Sequence, residues 1–246
     1  MILKKIIFIV LLIVIAFYLF YFFAVMGLKP KIILWAWEGP ENMMFLEYKN
    51  NVTVAFYAGG IEIRDGEIII KSRANPLIVD PQKKLTAVIR IDNFSTREDL
   101  EKYTPQISEF IVKKCQQKNV FHCQIDFDAK ESERKAYKEI ILNVKKGLPS
   151  CIDISITALV SWCSYDNWIK DLPISEAVPM FYSLGLGEEY VKRNFKLREK
   201  KCAKSIGVSL DESLPVKKYI EGKKIYIFSA NPWTEESFLK AVELLK

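Results

Sequence analysis

The pattern that most restricts the possible folds is an alternation of short apolar runs with helix-sized segments from Lys31 to Lys246. Eight such runs occur, in the order KIILWAW, VTVAFYA, TAVIRID, VFHCQIDFD, DISITALVSW, EAVPMFYSL, KSIGVSLDE and KKIYIFSA. Several are almost wholly apolar, which is typical of parallel strands covered on both faces of a sheet. The alternation predicts a single α/β domain, a (β/α)8 barrel of the TIM type. A doubly wound open sheet is the alternative, although no glycine-rich phosphate loop follows any of the runs.

The segment IEIRDGEIIIKSR, between the second and third runs, predicts a hairpin that turns at Asp65 and Gly66. No internal repeat, low-complexity tract or linker divides residues 29–246. We therefore assign residues 29–246 to one barrel domain.

The N-terminal segment has a different character. Residues 6–26, IIFIVLLIVIAFYLFYFFAVM, form an uninterrupted apolar run that follows Lys4 and Lys5. At about 1.5 Å per residue, a helix of this length crosses the roughly 30 Å hydrocarbon layer of a membrane. We predict that residues 1–28 are an uncleaved transmembrane anchor, with a cleaved signal sequence as the alternative. The two lysines would hold the N-terminus in the cytoplasm, so we expect a single-pass membrane protein whose domain is extracytoplasmic. Cleavage would give a secreted or periplasmic protein.

Composition excludes several functions. The net charge of +6 is mild, and no stripe of Lys and Arg with interleaved aromatics indicates nucleic-acid binding. The single histidine, His122, argues against a His-rich zinc or iron site and is expected to lie in the core.

The five cysteines form no C-x-x-C pair, so one or two disulfides or buried unpaired thiols are expected. We predict no cofactor and no metal, and we expect a monomer.

Carboxylates are concentrated where the predicted strands end, which is the functional end of such barrels. Asp126 and Asp128 lie two residues apart, so they face the same way, about 6.6 Å apart along a strand. Two close carboxylates raise the pKa of one of them, which can then act as an acid. We predict that they are the central catalytic residues, with Glu38 or Glu176 completing the set. The alternative for Asp128 is a cap on the helix that follows.

Aromatic residues accompany these acids. Trp37, Trp162 and Tyr182 are predicted to bind substrate together with Asp92, because the C–H groups of a sugar ring pack on aromatic faces. Each aromatic taken alone is equally well explained as part of the core.

Several segments in order resemble a bacterial barrel family of uncharacterised function: WAWEGPENMMFL, RANPLIVD, VIRID, CQIDFDAKESERKAY, ISITALVSWC and EAVPMFYSLG. The resemblance implies a glycoside-hydrolase-like barrel that is usually exported and has no established reaction. IDFD also resembles the fourth strand of chitinase-like glycosidases, D-x-x-D-x-D-x-E. In one alignment Lys130 stands where that pattern has its acidic Glu; in the other, Gln124 and Asp126 take Asp positions and Asp128 takes the Glu.

Three functions follow from these features. The first is a membrane-tethered glycoside-hydrolase-like enzyme that acts on a polysaccharide or cell-envelope glycan. The second is a non-catalytic barrel that binds a glycan or an envelope partner in the same cleft. The third is a metal-dependent hydrolase whose ligands are Asp92, Asp126 and Asp128.

Overall fold

The computed structural model describes residue 14 and residues 31–185, 188–215 and 217–245. The chain divides into two units, Met1–Pro30 and Lys31–Lys246. The predicted anchor, residues 6–26, lies outside the described residues except for Val14. Among the described residues, no helix is both long and apolar enough to span a bilayer.

The second unit contains eleven strands within its described residues. They are β1 (Ile32–Ala36), β2 (Glu41–Asn42), β3 (Val52–Arg64), β4 (Glu67–Ser72), β5 (Leu77–Ile78), β6 (Leu85–Asn93), β7 (Val120–Asp126), β8 (Asp153–Ala158), β9 (Glu176–Pro179), β10 (Ser205–Ser209) and β11 (Lys224–Phe228).

Eight of these strands form one parallel sheet in the order β10-β11-β1-β3-β6-β7-β8-β9. A parallel bridge between Met180 and Gly207 brings the two outermost strands, β9 and β10, together. The sheet is therefore a nearly closed parallel barrel of eight strands, compatible with the TIM type, and the alternative of an open doubly wound sheet is wrong. The short strands β2 and β5 pair separately.

Helices follow the strands and cover the outside of the barrel. They are α1 (Arg97–Cys115), α2 (Arg134–Gly147), α3 (Val160–Ser164), α4 (Glu188–Asn194) and α5 (Glu235–Leu244), with 3₁₀ turns at Met44–Leu46, Glu131–Glu133, Lys200–Ala203 and Lys217–Tyr219. Helix α1 begins at a capping box. The Thr96 hydroxyl accepts a hydrogen bond from the Asp99 amide at 3.1 Å, and the Asp99 carboxylate accepts one from the Thr96 amide at 3.3 Å.

Strand β3 is long enough to continue beyond the barrel wall as a hairpin with β4. The hairpin turns at Asp65 and Gly66, whose φ angles of 53° and 78° are both positive, as a two-residue type I′ turn requires. The predicted hairpin is therefore confirmed. Near the start of this extension, a Cβ on Gly59 would stand 2.6 Å from the Lys71 carbonyl oxygen and 2.7 Å from the Phe110 ring. Only glycine allows β4 and α1 to approach β3 so closely.

Two layers of side chains alternate along the strands. The larger apolar core lies between the barrel and its helices, and it includes Ile32 and Leu34. A smaller cluster is formed by the alternate residues, among them Ile33 and Trp35 on β1 and Val88 on β6. This alternation decides which polar side chains enter the barrel, because neighbours in a strand point to opposite faces.

Four cysteines are paired. Cys115 is bonded to Cys123, which fastens α1 to β7, and Cys163 is bonded to Cys202, which fastens α3 to a 3₁₀ turn before β10. Cys151 is free and exposed.

Candidate active site

Arg90 on β6 lies at the centre of three carboxylates near the carboxyl ends of β6 and β7. Its Nη1 donates to Asp126 Oδ2 at 3.0 Å, and its Nε donates to Asp92 Oδ1 at 2.9 Å. Its Nη2 also lies 3.4 Å from Asp128 Oδ2. Burial lowers the pKa of Arg90, but the charges and hydrogen bonds of Asp126 and Asp92 outweigh that effect and raise it. Arg90 therefore stays protonated and holds the three acids in one group.

Register explains why Arg90 and Asp126 meet. Arg90 is paired with Asp126 across the parallel strands β6 and β7, although the two residues are 36 positions apart in sequence. The alternation places Arg90 on the same side of β6 as Val88, in the inner cluster.

Asp126 is the buried member of the group, with 4% of its surface exposed. Both carboxylate oxygens are engaged, because Oδ2 accepts from Arg90 and Oδ1 accepts from the Thr157 hydroxyl at 2.7 Å. Burial raises the pKa of Asp126, and the positive charge of Arg90 and the hydrogen bond from Thr157 oppose this rise only in part.

Asp128 is the accessible member, with half of its side chain (51%) exposed. It does not cap the following 3₁₀ turn. The residue at the N-cap position is Lys130, whose amide donates a hydrogen bond to Glu133 Oε2 at 2.7 Å. Because only its contact with Arg90 holds it in the described structure, Asp128 has a carboxylate oxygen that a bound molecule can reach.

A cavity of about 420 Å³ opens beside these acids. Its lining combines charged, hydroxyl, amide, aromatic and aliphatic groups: Arg90, Asp126, Asp128, Leu159, Val160, Ser161, Ser164, Tyr165, Met180, Tyr182, Ser183, Leu184, Tyr190, Val191, Asn194 and Phe195. Its volume falls within the range of small-ligand sites, which are mostly apolar with a few polar groups.

Tyr182 is the predicted aromatic residue that does line this cavity. Its ring stacks on Phe228 with centroids 5.6 Å apart, and Trp37 meets the same phenylalanine edge-on at 6.4 Å. Burial, followed by the charges of Asp126 and Asp128, raises the pKa of Tyr182 well above its usual value. Its hydroxyl therefore stays protonated and available as a donor. Trp37 packs against Phe228 of this aromatic group and is not part of the cavity lining.

Glu38 follows β1 but is bound elsewhere. Its Oε1 accepts hydrogen bonds from the side-chain and backbone nitrogens of Asn75, at 2.8 and 3.1 Å, and from the Ala74 amide at 3.2 Å. Burial acts to raise its pKa, but these bonds and the charge of Arg73 outweigh it and lower the pKa. Glu38 is therefore an anchor for the loop after β4, and it does not line the cavity.

The placement of Glu176 corrects the sequence analysis. It opens β9, so it lies at the amino-terminal end of the barrel, and it is almost fully buried at 1%. Its Oε1 accepts hydrogen bonds from Lys224 Nζ at 2.8 Å and from the Tyr226 hydroxyl at 3.0 Å. His122 also lies at this end, with its Nε2 2.8 Å from Ser155 Oγ. Burial lowers the pKa of His122 to about 4.

Trp162 is also not where a sugar platform would be. It is 2% exposed and meets Trp168 edge-on, with ring centroids 4.8 Å apart. The reason is local, because residues 160–164 form helix α3. One side of this helical turn directs Ser161, Ser164 and Tyr165 towards the cavity. The other side directs Trp162 into the core.

Arg90 and Thr157 were missing from the predicted set. Both lie inside the quoted motifs VIRID and ISITALVSWC, and an arginine two residues before Asp92 in a strand signals an ion pair on one face. Arg90 also occupies the centre that a cation bound by Asp92, Asp126 and Asp128 would need. In the described part of the chain, no group of three or more His, Cys, Asp or Glu residues has an arrangement that could hold a metal ion. The arrangement therefore gives the metal-dependent alternative no support.

Comparisons with known proteins give two results. Residues 80–172 match the profile of the Domain of unknown function (DUF3142), a stretch that contains Arg90, Asp92, Asp126 and Asp128. No curated protein sequence matches the chain.

Solved structures with a similar arrangement include two chitinases and a spore enzyme. The chitinase RmChi1 from Rhizomucor miehei is 10% identical with a TM-score of 0.46, over 73% of this chain and 69% of that one. The spore cortex-lytic enzyme SleL from Bacillus cereus is 16% identical with a TM-score of 0.46, over 74% of this chain and 52% of that one. The chitinase domain of the spore coat protein CotE from Clostridium difficile is 11% identical with a TM-score of 0.39, over 83% of this chain and 66% of that one.

With identities of 10–16% and TM-scores below 0.5, these likenesses transfer none of the named activities to this chain. The predicted resemblance to an uncharacterised barrel family is confirmed: over residues 80–172 the chain is similar to the DUF3142 domain of unknown function.

Proposed function

We propose that this protein is an extracytoplasmic, membrane-tethered, glycoside-hydrolase-like barrel that acts on a polysaccharide or cell-envelope glycan by carboxylate acid/base chemistry. The observation that carries the proposal is the accessible Asp128 carboxylate beside the buried Asp126, in a cavity that also contains tyrosine rings. Hydrolysis of a glycosidic bond requires one carboxyl group to protonate the leaving oxygen and a second group to assist attack.

The two aspartates would have different roles. Asp128 reaches the cavity, so it is the proton donor and acceptor. Asp126 has both oxygens bonded, so it acts by positioning Arg90 and by contributing negative charge next to Asp128.

The other lining groups support a sugar as the ligand. Tyr165, Tyr182 and Tyr190 offer flat faces with hydroxyl tips, and Ser161 and Asn194 offer hydrogen-bonding groups for sugar hydroxyls. A pyranose ring has apolar C–H faces and polar edges, so it suits a lining of this mixed character.

The location outside the cytoplasm rests on two features. Residues 6–26 are long and apolar enough for an anchor. The pairs Cys115–Cys123 and Cys163–Cys202 are placed for disulfides, which persist in oxidising compartments and are rare in the cytosol.

A specific observation favours a second candidate, a non-catalytic glycan-binding barrel. Arg90 contacts every one of the three clustered aspartates, and Asp126 has no free oxygen. Among the described cavity residues this leaves one accessible carboxylate, Asp128, where two-carboxylate hydrolysis uses a pair.

One experiment separates the two. The protein is applied to a glycan array that includes chitin and peptidoglycan fragments, and both retention and released products are recorded. Cleavage that disappears in Asp128→Asn, with an unchanged melting temperature, supports the enzyme. Asp153→Asn, at the opposite end of the barrel, is the matched control and should cleave normally. If the unaltered protein binds glycan but releases no product, the enzyme is rejected and the non-catalytic glycan-binding barrel is supported. If Asp128→Asn cleaves at the normal rate, the assignment of Asp128 is rejected.

A further inference from the structure

Strand β4 forms the outer edge of the hairpin, and it is accessible. Among the described strands it pairs with β3 alone, in antiparallel register from Arg64 opposite Glu67 to Gly59 opposite Ser72. The two-residue turn makes Arg64 and Glu67 the closing hydrogen-bonded pair, and such pairs alternate along an antiparallel ladder. The backbone groups of Ile68 and Ile70 therefore point away from β3, and no group in the described part of the chain bonds to them.

An exposed edge strand usually carries charged side chains, but this edge carries isoleucines in its centre. Ile69 and Ile70 are 40% and 42% exposed. Ile70 lies opposite Ile61, on the face of the hairpin where Ile61 and Ile63 are almost fully buried. The apolar face thus continues from β3 onto β4 and stops at a free edge. A row of isoleucines with unpaired backbone groups is the kind of edge that pairs with another strand.

From this edge we propose that two copies of the chain associate through antiparallel pairing of their β4 strands about a two-fold axis at Ile69. In that register Ile68 of one copy exchanges backbone hydrogen bonds with Ile70 of the other. Ile70 is then covered by an isoleucine, which extends the buried face of β3 across the axis. A two-fold contact uses the same surface on both copies, so an edge that complements itself is required.

Charge distribution supports the same register. Glu67 and Lys71 lie two residues on either side of Ile69, so each lies opposite the other residue of the partner copy. Directly opposed residues in an antiparallel pair are about 4.5–5.5 Å apart at Cβ, which allows two Glu–Lys contacts per dimer. Within one copy the Lys71 side chain is 65% exposed and makes a long ion pair, with its Nζ 3.8 Å from Glu62 Oε2, which a closer Glu67 of the other copy can replace. The inference departs from the monomer expected from the sequence, and it does not depend on the proposed enzymatic function.

The test uses disulfide trapping of the full-length protein in a Cys151→Ser background, which removes the exposed free thiol. Ile69→Cys places two thiols opposite each other at a non-hydrogen-bonded position, where the Cα atoms are about 4.5 Å apart and a disulfide can form. Mild oxidation should give a reducible dimer on a non-reducing gel. Glu67→Cys is the matched control on the same edge and face. In the proposed register its two thiols are roughly 14 Å apart along the strands, so it should give several-fold less dimer.

A charge change provides the second arm. Lys71→Glu in the Ile69→Cys background places like charges opposite each other and should lower the trapped fraction, and adding Glu67→Lys should raise it again. Near-ultraviolet circular dichroism confirms that each variant is folded. Equal trapping of Ile69→Cys and Glu67→Cys would overturn the register, and absence of a dimer in both would overturn the association.

Discussion

Replacement of Arg90 by methionine is the most informative perturbation of the site. Methionine keeps much of the aliphatic volume of arginine and removes the guanidinium group that contacts Asp92, Asp126 and Asp128. Asp126 is then a buried acid without a counter-charge, held only by the Thr157 hydroxyl.

The magnitude follows from the shortest contact to the buried acid. At 3.0 Å between Arg90 Nη1 and Asp126 Oδ2, the attraction at an effective dielectric constant of about 20 is about 5.5 kcal/mol. Solvent reaches 28% of the Arg90 side chain, which reduces this value. Loss of one partner of a buried pair costs about 3–5 kcal/mol, so we expect a destabilisation in that range near neutral pH.

The expected effect depends on pH in a definite direction. Burial already raises the pKa of Asp126 in the folded protein, and loss of Arg90 raises it further. A carboxyl group whose folded-state pKa is raised favours folding below its unfolded pKa of about 3.9 and loses that contribution as pH rises through the folded-state pKa. The penalty of Arg90→Met should therefore be largest near neutral pH and shrink as the solution is acidified.

Thermal unfolding followed by circular dichroism measures this effect at neutral and acidic pH. For a domain of this size, about 2–4 °C is lost per kcal/mol, so Arg90→Met should lower the melting temperature by roughly 6–20 °C near pH 7. Arg97→Met removes an arginine whose partners, Glu98 and Glu101, are 67% and 37% exposed, and it should change the melting temperature little. The reasoning is refuted if Arg90→Met behaves like Arg97→Met, or if its penalty is the same at both pH values.

Three further predictions concern the rest of the barrel. The pKa of His122 is lowered to about 4 in the folded protein, so the neutral histidine favours folding above pH 6.5. This contribution, of the order of 3 kcal/mol, is lost as pH falls towards 4. In melting curves from pH 7 to 4, His122→Gln should remove that part of the pH dependence. Replacing Cys163 and Cys202 by serine opens a loop with a sequence separation of 39 residues and should destabilise the fold by about 4 kcal/mol, because the unfolded chain gains conformational entropy. A melting temperature equal to that of the unaltered protein would contradict this. Gly59→Ala forces a contact with Phe110 and should cost about 1–3 kcal/mol in chemical unfolding, whereas an unaltered midpoint would show that β3 has room there.

Local pattern was enough to predict most of the elements. Short apolar runs indicate the strands, the helix-sized segments between them indicate the helices, and Asp65-Gly66 indicates a two-residue hairpin, because each signal is contained in a few neighbouring residues. The parallel barrel followed from their order, since eight strands that alternate with helix-sized segments leave few ways to bury every apolar face.

Part of the candidate site was predictable for the same reason. Asp126 and Asp128 are two residues apart at the end of a predicted strand, so they were expected on one face, and the structure brings them together with Asp92 around Arg90. Whether they perform catalysis is still a prediction.

The rest depended on tertiary structure. Arg90 meets Asp126 through register between two strands, and Cys163 finds Cys202 across 39 residues, so neither contact leaves a local signal. Trp162 is buried because one helical turn rotates it away from the cavity. The chain by itself therefore determined the strands, the helices and the acids at a strand end. Folding decided which of those acids share an arginine and which face the cavity, because such contacts form between residues that only the closed sheet brings within a few ångströms.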